Sequence, residues 1–104
     1  MNIEEINPND VLAAVKGGSV FVDVREPYEI DEVSYDIQKQ LQIPLGHIQT
    51  RMAEIPKDAS VIVGCRSGAR SMQACQFLAM NGYANVKNLQ GGIMGWMDNG
   101  CPTK

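Results

Sequence analysis

Val61-Ile62-Val63-Gly64 constrains the fold of this chain more than any other stretch. Three β-branched residues in a row favour a strand over a helix. The run has no polar alternation, which fits a strand covered on both faces. Three other runs read as strands: Ser19 to Val24, Leu41-Gln42-Ile43 and Val86 to Leu89. Helical patterns lie between them. Asn7-Pro8 reads as an N-cap and first helical position, leading into Asp10 to Lys16, and Gly17-Gly18 ends that helix. Glu26-Pro27 opens a short helix, while Asp31 to Gln40 is polar and carries no clear period. Gly46 to Ile55 is predicted helical with Ile48, Met52 and Ile55 on one face. Arg70 to Asn81 is the clearest helix, with Gly82 at its C′ position, and Ile93 to Asn99 forms the last. Strands separated by helices imply right-handed crossovers, hence an α/β fold with a mostly parallel sheet and helices on both faces.

A chain of 104 residues is expected to form one domain, residues 1–104, large enough to fold without staples. Its net charge of -3 argues against nucleic acid or an anionic membrane as partner. No apolar run approaches the roughly 20 residues of a membrane span. The acidic start, Met1 to Glu5, lacks the features of a signal peptide, so a cytoplasmic protein is expected. Three cysteines at 65, 75 and 101 show no metal-ligand spacing, and there is a single histidine, so neither metal nor cofactor is expected.

In a parallel sheet ligands gather beyond the carboxyl ends of the strands, and Cys65 lies at such an end. It opens the segment Cys65-Arg66-Ser67-Gly68-Ala69-Arg70-Ser71, which leads into a helix. Converging backbone N–H groups, the helix dipole and two arginines all favour an anion there. Such settings bring a cysteine pKa down from about 8.5 into the range of roughly 3.5–7.5.

Two kinds of chemistry use a Cys-to-Arg loop before a helix. Phosphatases and arsenate reductases surround a tetrahedral dianion with a thiolate and a guanidinium, in a loop one residue longer. Here four residues separate Cys65 from Arg70. The tighter loop suits a smaller group, such as the outer sulfur of a cysteine persulfide, cradled by successive N–H groups. Gly68 supplies the positive φ that lets such a loop curl.

Together with Asp23-Val24-Arg25-Glu26 and Asn88-Leu89-Gln90-Gly91-Gly92-Ile93-Met94-Gly95-Trp96, this loop makes the chain resemble a single-domain rhodanese of the thiosulfate sulfurtransferase family. The resemblance implies a five-stranded parallel sheet and a ping-pong reaction. In it, Cys65 takes the sulfane sulfur of a small anionic donor such as thiosulfate and yields it to cyanide, a thiol or a protein sulfur acceptor. Arg66, Ser67, Gly68, Ala69 and Arg70 would bind the donor, and Asp23, Arg25, Ser71, Gly91, Gly92 and Trp96 would support the loop. A persulfide carrier loaded by a partner protein is the alternative. A monomer or weak dimer is expected. One departure from the family pattern is visible. Its Gly-His-Ile-x-Gly-Ala segment is replaced by Val33 to Gln40, and Gly46-His47-Ile48 falls beyond the strand run Leu41-Gln42-Ile43.

Other residues take plainer roles. Asp23 and Arg25 are expected to pair or cap backbone groups, and Gly91, Gly92 and Trp96 to bring the last helix against the loop and seal it. Cys75 is expected in the core, Cys101 as a passive tail thiol and His47 at the surface. Met72, Met80, Met94 and Met97 are expected to fill the core.

Overall fold

A computed structural model describes residues 2–104; Met1, the first residue of the acidic start, lies outside them. Five strands form one sheet, β1 (Glu4–Ile6), β2 (Val20–Asp23), β3 (Leu41–Gln42), β4 (Val61–Gly64) and β5 (Val86–Leu89), in the order β1-β5-β4-β2-β3. All four pairings are parallel. The helices are α1 (Pro8–Lys16), α2 (Pro27–Glu32), α3 (Ile48–Arg51), α4 (Ala69–Met80) and α5 (Gly92–Asp98). None among the described residues is long and apolar enough to cross a membrane.

The β-branched run behaves as its composition demands. Val61 and Val63 enter one buried cluster with Cys75 and Leu78 of α4 and Ile48 of α3. Ile62 points the other way, into a second cluster with Val11 of α1 and Ile93 and Trp96 of α5. The sheet is thus clad on both sides, and β4 carries no polar side chain.

Local signals place the helix ends. Asn7 accepts the Asn9 N–H at 2.9 Å, with Pro8 in the first turn of α1. Asn81 closes α4, and Gly82 follows with φ +94°. Differences arise where tertiary contacts decide. The helix expected over 46–55 is three short pieces, with α3 flanked by 3-10 turns at Leu45–His47 and Met52–Glu54. His47 and Arg51 adopt φ near -110° with ψ near zero, which breaks the α-helix while Ile48 and Ile55 still reach the core. Strand β1 was not among the strand runs in the sequence. Its Glu4 and Glu5 are exposed, and it is held to the edge by pairing with β5, Glu5 opposite Asn88.

The segment between α2 and β3 turns inward. Tyr35 and Ile37 are buried, and the Gln40 amide donates to the Tyr35 and Ile37 carbonyls. The C-terminal residues run alongside, with Ser34 and Lys104 exchanging backbone hydrogen bonds. The methionines do not fill the core as expected. Met80, Met94 and Met97 are largely exposed, and Met72 is half-buried.

Candidate active site

Strand β4 ends at Gly64, and the chain turns at Cys65 into the loop that starts α4. Two contacts fix the turn. A Cβ on Gly64 would lie 2.7 Å from the Phe21 ring and 2.9 Å from the Tyr35 hydroxyl, so only glycine lets the tyrosine pass. The Tyr35 hydroxyl then donates to the Cys65 carbonyl at 2.6 Å. The start of α5 meets the same backbone. Ile93 N–H donates to the Cys65 carbonyl at 2.8 Å and Met94 N–H to the Arg66 carbonyl at 3.1 Å. At Gly92, φ is +57°, and a side chain there would overlap the Cys65 and Arg66 carbonyls. With these carbonyls drawn towards α5 and Tyr35, the N–H groups that follow are left to face the sulfur.

The Gly68 N–H lies 3.1 Å from Cys65 Sγ, with Gly68 itself at φ +112° as the N-cap of α4. The Ser71 hydroxyl stands 3.2 Å from the same sulfur. Burial opposes ionisation of this thiol. Hydrogen bonding to the sulfur from Ser71, Gly68 and Ser67 outweighs it, and the Cys65 pKa is lowered from the ordinary thiol value. The other cysteines differ. Cys75, in the core face of α4, is pushed up to about 12 by burial, and burial also raises Cys101. Chemistry therefore separates Cys65 from the two thiols that share its residue type.

Ion pairs frame the loop. Asp23 and Arg25, both buried, pair at 2.9 Å, and Arg25 also donates to the Glu29 and Val33 carbonyls. They stiffen the edge of β2 beside the loop. Arg70 makes two 2.8 Å hydrogen bonds to the Glu29 carboxylate. Expected as a donor-binding residue, it thus presents its two terminal nitrogens to α2 instead. Those bonds, partly offset by desolvation, hold the Glu29 pKa at about 2. Arg66, Ser67 and Ala69 lie at the exposed rim. Arg66 borders a groove of about 430 Å³ with Tyr28, Glu32, Ile93, Met94 and Met97.

Trp96 reaches the loop differently from expectation. Its ring packs edge-on against Tyr35 with centroids 5.5 Å apart, and its indole N–H donates to the Pro102 carbonyl at 2.6 Å. It is Tyr35 that touches the loop. Gly91 takes φ +76° and turns the chain into α5. His47 is exposed and lines a second groove with Pro44 and Arg51.

Three site residues were not singled out in the sequence. Asn88 is buried in β5 and bonds Ser71, Gly68 and Glu5. A buried asparagine in an inner strand was the available signal. Glu29 follows Glu26 by three residues and closes a capping box, a spacing that marks it as structural. Tyr35 sat in a segment without period, and no local pattern reveals its contact with residue 65.

A profile described as Rhodanese-like domain matches residues 7–99. A sulfurtransferase of Allochromatium vinosum is 49% identical over 83 residues, covering 80% of this chain and 76% of that protein. Thiosulfate sulfurtransferase 18 of Arabidopsis thaliana is 30% identical over 115 residues, covering 95% of this chain and 84% of the other. The crystal structure of a rhodanese-related protein from Thermoplasma volcanium superposes with a TM-score of 0.86 at 30% identity, over 97% of each chain. With a five-stranded parallel sheet, a cysteine loop at its carboxyl edge and a profile match over nearly all its length, this chain belongs to the rhodanese-like domain family.

Proposed function

We propose that the protein is a sulfurtransferase that carries sulfane sulfur on Cys65. The Cys65 thiolate attacks the outer sulfur of thiosulfate. A new S–S bond forms, the S–S bond of thiosulfate breaks, and sulfite departs with the electron pair. Cyanide or a thiolate then attacks the outer sulfur of the persulfide, forming thiocyanate or a new persulfide and returning Cys65 as thiolate. Each half is a displacement at sulfur, and covalent storage divides the transfer into two easier steps. Loop N–H groups stabilise the negative sulfur as an oxyanion hole stabilises oxygen. The exposed Arg66 draws in the anionic donor. The setting is the cytoplasm, with no cofactor and with a monomer or weak dimer as the working unit.

One observation carries this reading: Cys65 Sγ sits 3.1 Å from the Gly68 N–H, at the head of α4, with a lowered pKa. Intact-mass measurement tests it. Incubation with thiosulfate should add about one sulfur atom, cyanide should remove it, and Cys65→Ser should show neither. A mass gain that persists in Cys65→Ser would refute the proposal.

A second reading, a persulfide carrier loaded by a partner protein, is favoured by one feature. The terminal nitrogens of Arg70 are held by Glu29 rather than turned to a free anion. Sluggish loading by thiosulfate beside rapid loading by a protein persulfide would select it.

A further inference from the structure

Counting hydrogens around Cys65 shows that one donor near the sulfur is already committed. The Asn88 Nδ2 lies 3.1 Å from the Gly68 carbonyl and 3.2 Å from Glu5 Oε2. Both partners are acceptors only, so the amide orientation is fixed, with Nδ2 towards them and Oδ1 towards Ser71. Asn88 Oδ1 is itself acceptor only, and its short contact with Ser71 Oγ needs the serine proton. A hydroxyl has one proton. The remaining acceptor near it, the Gly68 carbonyl at 3.3 Å, already takes the Met72 N–H and the Asn88 amide. While Cys65 is a thiol, then, the Ser71 proton points at Asn88 and the thiol S–H is free to donate to the Ser71 oxygen 3.2 Å away. The ionised sulfur reverses this demand. It can receive the Ser71 proton only if the hydroxyl turns away from Asn88.

We propose that Asn88 is a positioning residue that holds the Ser71 proton away from the Cys65 sulfur, so that the hydroxyl serves the sulfur only when it is anionic and only at the expense of the Asn88 bond. Asn88 thereby keeps the Cys65 thiolate less stabilised, and hence more nucleophilic, than the same loop with a free serine. The proposal rests on Cys65 being the sulfur carrier only for its consequence in turnover; the wiring itself is a property of the resting protein.

The other charged and titratable groups near the thiol are accounted for. Arg70 pairs with Glu29, and Arg25 with Asp23. Arg66 is exposed at the rim. Tyr35 donates to the Cys65 carbonyl, and its pKa is raised by burial first and by the Asp23 charge next. Cys75 titrates far above neutrality. Glu5 meets the site through Asn88, and a Glu5→Gln variant removes its charge as a control.

The test is a pH titration of thiolate by its far-ultraviolet absorbance, each protein measured against the same protein with Cys65→Ser. Asn88→Ala should lower the midpoint by about 0.5–1 pKa unit, the worth of one neutral hydrogen bond. Ser71→Ala should leave it unchanged or slightly lower, and adding Ser71→Ala to Asn88→Ala should abolish the drop. A loop merely loosened by Asn88→Ala would lose its N–H donors and raise the midpoint instead. A rise in Ser71→Ala alone, or no drop in a folded Asn88→Ala, overturns the proposal. If Asn88→Ala fails to fold, Ser71→Ala decides the matter alone. Because no turnover is measured, failure of the sulfur-transfer reading would leave this result standing.

Discussion

Glu29 shows how a single side chain can serve two elements at once. One carboxylate oxygen accepts the Glu26 N–H to start α2, and both oxygens take the Arg70 guanidinium of α4. The pair closes the side of the cysteine loop and makes Glu29 an acid of pKa about 2. An unfolded glutamate titrates near 4.3, so the folded state binds fewer protons between these values. The stabilisation is complete above that unfolded pKa and is lost as pH falls through the folded one. Glu29→Gln should therefore cost about 1 kcal/mol at neutral pH, given a partly exposed arginine. The difference from wild type should shrink towards pH 2. Urea midpoints at several acidic pH values check the slope. Wild type and variant running in parallel across that range would contradict the assignment.

At the scale of elements, contact distance explains more than helix propensity. Helix α5 has seven residues, too short to be stable alone, and it is seated by backbone-to-backbone bonds to residues 65 and 66. Gly92→Ala should cost about 2–4 kcal/mol through its positive φ and the overlap with the loop carbonyls. Persulfide loading by thiosulfate should slow in the surviving folded fraction, since the carbonyls orient the N–H cradle. Gly46→Ala meets nothing within 4 Å and should stay within about 0.5 kcal/mol of wild type. Thermal melts and timed mass spectra measure both. The same distinction explains what could be read from residues alone. Strand β4, the caps of α1 and α4 and the positive φ of Gly68 each have a local cause, so local sequence displays them. Strand β1 owes its existence to β5, and the three-piece 45–54 segment owes its shape to where Ile48 and Ile55 must point. The partner of Arg70 is 41 residues away in sequence, and the role of Asn88 depends on two acceptors on other elements. Such pairings leave no periodic trace.

Across the whole molecule, Tyr35 is where distant parts of the chain meet. Its ring lies edge-on to Phe21 of β2 and Trp96 of α5, with the Arg25 guanidinium 5.3 Å from its centroid. Its backbone bridges to Thr103 in the tail, and its hydroxyl ends on the Cys65 carbonyl. The segment that departs from the family's Gly-His-Ile pattern is thus the one that props the cysteine loop from below. Tyr35→Phe keeps the ring and removes one hydrogen bond to a carbonyl that still has the Ile93 N–H. It should cost about 1 kcal/mol, as one buried neutral hydrogen bond does, and leave persulfide loading within a few fold of wild type. Tyr35→Ala also removes the ring that joins β2 and α5, and should cost about 3–5 kcal/mol. Urea denaturation of the two variants separates ring from hydroxyl. If Tyr35→Phe were as damaging as Tyr35→Ala, the hydroxyl on the Cys65 carbonyl, rather than aromatic packing, would be what holds the loop to the rest of the fold.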